Sequence, residues 1–356
     1  MAAQRSRAAL ALLTAARRPI TCLFCQWHRA LSTTPQRCLP ESKPSTTGPD
    51  AAPEPPKPAP EPPAPAGASI DAPRSWGKRV DEFTPQPLPR PIGMNAAPVP
   101  GENTGLDLRT LRQRRDDFVD YDKHLLRRKQ LKEKLSRPYF RDWTNLRHHD
   151  GKSFIAPPRL FRADKALYFP NLYGQTLHPD GLERDTTPQL FGRASAVAIF
   201  SSRWAEDQVE SFVSDAANPT LRDLVRSNAD AAQVVRINIE ENAMKAWLVR
   251  MFMGPLRRRF GEENYSRYFL VRRGVSDLIR ESIGLLNMKV GYTYLVDPEC
   301  RIRWAASGQS TPDELESLTR GMQKLVKEAQ DAQALGPGVG AAMAEAARGR
   351  VKAGAV

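Results

Sequence analysis

Ser195-Ala196-Val197-Ala198-Ile199-Phe200-Ser201-Ser202-Arg203-Trp204 is the stretch on which the reading of the fold turns. Its apolar run, Ala196 to Phe200, reads as a short buried strand. The chain continues without a break into Ala205, Val209, Phe212, Val213 and Ala216, apolar at the helical period. A strand that feeds straight into a helix puts the intervening residues at the helix N-terminus. The dipole and free N–H groups there favour an anion, so a cysteine at that point is held as a reactive thiolate. This chain has Ser201, Ser202, Arg203 and Trp204 instead. Serine caps a helix but does not exchange disulfides, which directs the search for function to binding.

The elements that follow set the fold class. Asn218-Pro219 supplies an N-cap and a first-turn proline for a second helix. Val234, Val235, Ile237 and Ile239 mark a strand over 233–239. A helix over 242–253, a strand over 268–271 and a short helix over 275–284 come next. Residues 290–296 and 301–306 read as a hairpin around Asp297-Pro298-Glu299-Cys300, with Arg301 and Arg303 wet and Ile302 and Trp304 buried. Thr311-Pro312-Asp313-Glu314 is a capping box that opens a last helix, whose apolar face is Leu315, Leu318, Met322, Leu325 and Val326. A βαβ start, an antiparallel hairpin and a terminal helix make an α/β domain on the thioredoxin-like plan. The extra strand and helix before the hairpin lean toward its peroxiredoxin-like elaboration. Redox members of that class also carry a proline ahead of the hairpin, and Asn287-Met288-Lys289-Val290 has none.

The 356 residues divide by composition. Residues 1–37 contain Arg5, Arg7, Arg17, Arg18, Arg29 and Arg37 and no acid, the pattern of a mitochondrial presequence. Residues 38–104 read as a disordered linker, since 18 of the 31 prolines fall between 40 and 100, and no folded structure is expected before about residue 100. Residues 105–149 form a basic arm, read as one long helix over 105–137 with Pro138 as its stop. Its eleven Lys/Arg against five Asp/Glu between Arg109 and Arg137 suit a membrane surface, RNA or a solvated arm packed on the domain. The domain is placed at 150–330, entered through an irregular segment whose Phe161, Tyr168, Phe169 and Tyr173 cover the sheet, and an Ala/Gly-rich tail at 331–356.

The formal charge is +13; cleavage before Ser32 would leave 48 basic against 40 acidic residues, or +8. That excess suits an anionic partner. No run of 18 apolar residues occurs, so no membrane-spanning helix is expected. Cys22-Leu23-Phe24-Cys25 lacks a βαβ context, and Cys300 sits on a hairpin turn far from any helix start, so neither is expected to be redox-active. His148-His149-Asp150 has no partner at metal-ligand spacing, and neither phosphate-loop nor dinucleotide fingerprint occurs. No catalytic residue, metal or cofactor is expected.

The best interaction candidate is the 242–253 helix. Met244, Trp247, Leu248, Met251 and Phe252 recur at i, i+3, i+4, i+7 and i+8, with Val249 and Met253 widening the stripe. Such a stripe reads first as one that faces the sheet. Its second reading is a client-binding surface, since methionine and aromatic side chains repack readily. Arg257-Arg258-Arg259 follows directly and would add attraction to an anionic surface. The candidate partner-binding set is therefore Met244, Trp247, Met251, Phe252, Arg257, Arg258 and Arg259, beside a vacated redox position at Ser201, Ser202 and Trp204.

Three stretches resemble the mitochondrial ATP synthase assembly factors of the ATPase complex subunit ten family. They are Ala166-Leu167-Tyr168-Phe169-Pro170-Asn171-Leu172-Tyr173-Gly174-Gln175-Thr176-Leu177, Ile199-Phe200-Ser201-Ser202-Arg203-Trp204-Ala205-Glu206, and Gly291-Tyr292-Thr293-Tyr294-Leu295-Val296-Asp297 continuing to Ile302-Arg303-Trp304-Ala305. The resemblance covers roughly 151–327. It implies a non-enzymatic chaperone on the matrix side of the mitochondrial inner membrane, peripheral to it. The implied client is subunit a of the membrane sector, on its way to the ring of c subunits; no nucleic acid is expected. Two other classes stay open. A mitochondrial ribosomal or RNA-binding protein would share the presequence and basic arm, though no RNA-binding signature is present. A thioredoxin-like redox enzyme would have to work through Cys300.

Overall fold

The computed structural model describes residues 70, 72–75, 80, 82–107, 109–135 and 140–334. The expected presequence with Cys22 and Cys25, as well as Cys38, most of the linker up to 69, Leu108, Pro138 and the tail from 335 lie outside the described residues.

The strands β1 (Leu167–Tyr168), β2 (Tyr173–Thr176), β3 (Glu183–Asp185), β4 (Ala194–Phe200), β5 (Ala232–Ile239), β6 (Tyr268–Val271), β7 (Tyr292–Val296) and β8 (Arg301–Ser307) form one sheet. Its order is β1-β8-β7-β4-β5-β6-β2-β3. The apolar stretch that opened the reading lies at the centre: all of β4 is buried, with Val197 opposite Val235 on one side and Tyr294 on the other. β4, β5 and β6 run parallel, while β7 is antiparallel to both β4 and β8. Parallel neighbours need crossovers. The helices Arg203–Val213 and Pro219–Ser227 make the first, and Ala243–Met251 and Met253–Phe260 the second. With the hairpin and the terminal helix Pro312–Ala334, this is an α/β thioredoxin-like domain of the peroxiredoxin-like kind.

Both sheet faces are covered. Val197, Ile199, Ile237, Phe269, Tyr292 and Tyr294 lie in one core; Ala196, Ala198, Phe200, Leu270 and Trp304 lie in the other, against Phe212, Leu318 and Met322. Alanine at 194, 196 and 198 lets the helices of that second face come close. The expected caps form. Ser202 Oγ accepts from Ala205 N at 3.2 Å, Asn218 Oδ1 from Leu221 N at 3.0 Å, and Thr311 N donates to Glu314 Oε2 at 3.1 Å.

Four expectations are corrected. The first concerns the linker. Residues 82–107 are laid onto the domain, and Leu88 and Ile92 are buried in the first core together with Ile70 and Ala72. Leu88 N donates to Ile155 O at 3.0 Å, and Met94 and Tyr168 exchange bonds of 2.7 and 2.8 Å. Proline bars a regular element here, but an extended strap still drops isolated apolar side chains onto the face where the short helix Asp277–Ser282 also packs. The folded unit thus begins well before residue 150.

The second concerns the basic arm, which is two helices, Leu111–Val119 and Tyr121–Leu135. Asp120 between them is extended, and its Oδ1 accepts from Asp122 N at 3.1 Å and Lys123 N at 3.3 Å, so it ends one helix by capping the next. The arm is not packed on the domain: Leu111, Phe118, Val119, Tyr121 and Leu126 are all more than half exposed.

The third concerns the hairpin. Leu295 lies opposite Trp304 and Val296 opposite Ile302, leaving Arg303 as the extra residue of a β-bulge. The bulge sends Ile302 and Trp304 to opposite faces. Arg303 is buried, not wet: its guanidinium donates to Phe161 O at 2.7 Å, Asp297 Oδ2 at 3.3 Å and Glu328 Oε2 at 2.8 Å. Arg301 is half-buried and donates to Asp297 Oδ2 at 2.8 Å. The fourth is the 242–253 helix, which breaks at Phe252.

Candidate functional site: a vacated thiol position and an exposed apolar helix

The turn after β4 has the geometry that a reactive thiol would need and none of its chemistry. Ser202 is the N-cap of Arg203–Val213. Ser201 Oγ donates to the Met288 carbonyl, in the loop that leads into β7. The serine hydroxyl is thus bonded within the protein, joining the turn to that loop. Trp204 is 40% exposed. Beside the same loop lies Trp143, more than half exposed, with Lys289 Nζ 5.5 Å from its ring centroid. Nothing in the sequence around Trp143 marks it.

Cys300 is buried at the hairpin turn with φ 62°. Burial, with Asp297 nearby, pushes its thiol well above the ordinary range. It is the opposite of an activated cysteine. Among the described residues no group of three or more His, Cys, Asp or Glu could hold a metal ion.

The Ala243–Met251 helix is where the structure departs most from the first reading. It turns Ala246 inward, fully buried, with Val249 partly buried against the second core. Met244, Trp247, Leu248, Met251 and Phe252 face water, at 75, 61, 45, 57 and 51% exposure. Small residues pack and large apolar ones are presented, which inverts the usual amphipathic helix. Met253 alone of the stripe's methionines is buried, at the start of Met253–Phe260. Asn242 Oδ1 caps the first helix from Met244 N at 2.9 Å.

The three arginines that follow do different things. Arg257 Nε donates to Leu177 O at 2.6 Å and a further guanidinium nitrogen to His178 O, clamping the helix to the end of β2. Arg259 pairs with Glu206 at 2.8 Å and lies 5.1 Å from the Phe260 ring, which ties this helix to Arg203–Val213. Arg258 is exposed, and its side chain makes no hydrogen bond or ion pair among the described residues. So Arg257 and Arg259 anchor Met253–Phe260, the helix that follows the apolar one, and Arg258 is the one of the three without such a bond among the described residues. β4, β5 and β6 are parallel, so the turn at 201–204 and the start of this helix leave the sheet at the same end.

Comparison with known proteins gives this surface its setting. The mitochondrial ATPase complex subunit ATP10 of Eremothecium gossypii is 32% identical over 212 residues, covering 58% of this chain and 76% of that protein. That of Saccharomyces cerevisiae is 30% identical over 256 residues, covering 68% of this chain and 88% of that protein. Among solved structures, a secreted thiol-disulfide isomerase from Corynebacterium glutamicum matches at 12% identity and a TM-score of 0.35, over 49% of this chain and 92% of its own. Yeast Sco1 with copper bound matches at 14% identity and a TM-score of 0.29, over 45% of this chain and 91% of its own. The profile of the family described as ATP10 protein matches residues 76–325. Because that match runs from the N-terminal strap into the terminal helix and takes in every strand of the sheet, this chain belongs to the ATP10 protein family.

Proposed function

We propose that this chain is an assembly factor for the membrane sector of mitochondrial ATP synthase, peripheral on the matrix side of the inner membrane. In this reading it is a chaperone for subunit a, which it shields until that subunit joins the ring of c subunits, and it is not an enzyme. Membership of the ATP10 protein family supports the general role, since the relatives are named as mitochondrial ATPase complex subunits. The serines at 201 and 202 and the buried Cys300 support binding over redox chemistry.

One observation carries the finer reading: the exposed face of Met244, Trp247, Met251 and Phe252, held out by a helix that packs through its small side. A soluble domain gains by covering such a patch, and methionine and aromatic side chains adapt to irregular apolar partners. A newly made membrane subunit offers apolar helices that have not yet met their neighbours.

The test is crosslinking of the tagged chain in intact mitochondria followed by mass spectrometry. Newly made subunit a is expected as the main partner, with little mature synthase. Replacing Met244, Trp247, Met251 and Phe252 by serine is expected to abolish that capture at an unchanged melting temperature. Ribosomal proteins and RNA as the main partners would overturn the reading, and undiminished capture by the variant would remove this helix from it.

A further inference from the structure

We propose that the helix Tyr121–Leu135 is a lipid-contact element that seats the chain on an anionic bilayer surface; this rests on the membrane location proposed above. The arm stands off the domain with its apolar side chains in water. Helices of nine and fifteen residues that touch each other, as Phe118 and His124 do, but leave their leucines largely exposed are marginal on their own. They are stabilised by whatever covers them.

The charges say what that is. The acids around the first helix are already used: Asp107 holds Arg109 at 2.7 Å and Arg114 at 3.3 Å, Asp117 holds Arg109 at 2.8 Å and Lys123 at 2.6 Å, and Asp116 holds Arg115 at 3.0 Å. Arg112, Arg127, Arg128, Lys129 and Lys132 are exposed, and their side chains make no hydrogen bond or ion pair among the described residues. Four of these five cations belong to the second helix. Tyr121, Leu125, Arg128 and Lys132 stand at i, i+4, i+7 and i+11, along one face, with Lys129 and Leu131 beside them. Cations and apolar side chains thus share a face.

That mixture selects the occupant. A nucleic-acid backbone would neutralise the cations but leave Leu125 and Leu131 in water. An apolar protein groove would take the leucines but bury unpaired charge, which is costly. A bilayer interface uses both, since lysine and arginine snorkel to the phosphates while leucine and tyrosine enter the acyl boundary. Such attachment is reversible and weakens with salt.

The experiment is flotation of the full chain with vesicles of phosphatidylcholine containing one-fifth phosphatidylglycerol. It compares the native chain with Arg127→Gln/Arg128→Gln/Lys129→Gln/Lys132→Gln and with Leu125→Ser/Leu131→Ser. All three share every other basic segment, so only this helix differs. Both variants are expected to lose at least tenfold in vesicle affinity, and the native chain is expected to release in high salt. All three are expected to melt at the same temperature, because none of the six side chains is in the core. Equal flotation of all three, or equal binding to pure phosphatidylcholine, would overturn the proposal. So would tight RNA binding without flotation. Loss of flotation with client crosslinking retained leaves the assembly reading standing, and the converse result leaves this one standing.

Discussion

The Ser201 hydroxyl donates to the main-chain carbonyl of Met288, joining the turn after β4 to the loop ahead of β7. A side chain that in a redox domain would act on a substrate here acts on its own loop. Ser201→Ala removes the donor and leaves the carbonyl to water or to nothing. The expected cost is about 1 kcal/mol, read as a drop of a few degrees in melting temperature. Client crosslinking is expected to survive, since the apolar helix is untouched. An unchanged melting temperature would mean that the loop is held by its other contacts alone, such as Asn287 Nδ2 to Asp142 O at 3.0 Å.

Arg303 gives the largest predicted effect. It is buried among Asp297, Glu328 and the Phe161 carbonyl. Arg303→Ala would leave the buried Asp297 carboxylate with Arg301 as its remaining cation and the Phe161 carbonyl unpaired. Breaking a buried pair from one side costs about 3–5 kcal/mol. Arg301→Ala, at a half-buried position, is expected to cost clearly less. Urea unfolding of the two variants measures the difference, and equal losses would show that the bulge does not concentrate the load on Arg303.

These two residues also show what a sequence can and cannot tell. The strands β4 and β6 were legible because each is a short, nearly continuous apolar run buried on both faces, and β5 because Val235, Ile237 and Ile239 alternate with Arg236 and Asn238. The bulge was not, because one added residue on β8 leaves no compositional mark, yet it moves Arg303 inside and separates Ile302 from Trp304. The strap at 82–107 was hidden because Leu88 and Ile92 stand alone among prolines, with no period to reveal them. For the 243–252 stripe, periodicity correctly put Met244, Trp247, Leu248 and Met251 on one face. It carries no information on which way that face points; the small residues opposite, Ala246 above all, decide that.

Ala246 therefore supplies a test of the helix orientation. Ala246→Leu forces a larger side chain into a fully buried site and is expected to cost about 1–3 kcal/mol. Trp247→Ser, at a site 61% exposed, is expected to change stability by about 0.5 kcal/mol or less. Chemical denaturation of both variants checks the order, and its reversal would mean that the stripe faces the core after all.

Cys300 is expected to be inert. A buried thiol whose ionisation is pushed up offers almost no thiolate at neutral pH. In the folded chain its alkylation by iodoacetamide is expected to be at least a hundredfold slower than in denaturant, followed by peptide mass spectrometry at Cys300. Rapid labelling under native conditions would reopen the redox reading, and loss of an activity on Cys300→Ser would establish it.

Alkaline pH should unfold the domain through its tyrosines. Burial raises Tyr292 and Tyr268 to about 12 and raises Tyr294 as well; the hydrogen bond between the Tyr292 and Ser153 hydroxyls and the one that Tyr292 accepts from Asn287 N only partly offset it. In the unfolded chain the same phenols ionise near about 10. Above that point the unfolded state releases protons that the folded state keeps, so stability falls as pH rises. It is fully present below about pH 10 and declines by about 1.4 kcal/mol per pH unit for each such tyrosine until the folded value is reached. Urea unfolding between about pH 8 and about pH 11 is expected to be flat at first and then to slope downward. Tyr292→Phe, which removes one of the ionising groups, is expected to make the alkaline limb shallower. It also lowers stability at every pH, because the Asn287 N–H loses an acceptor 3.0 Å away. An alkaline limb equally steep in the variant would show that Tyr292 is not among the groups that drive it.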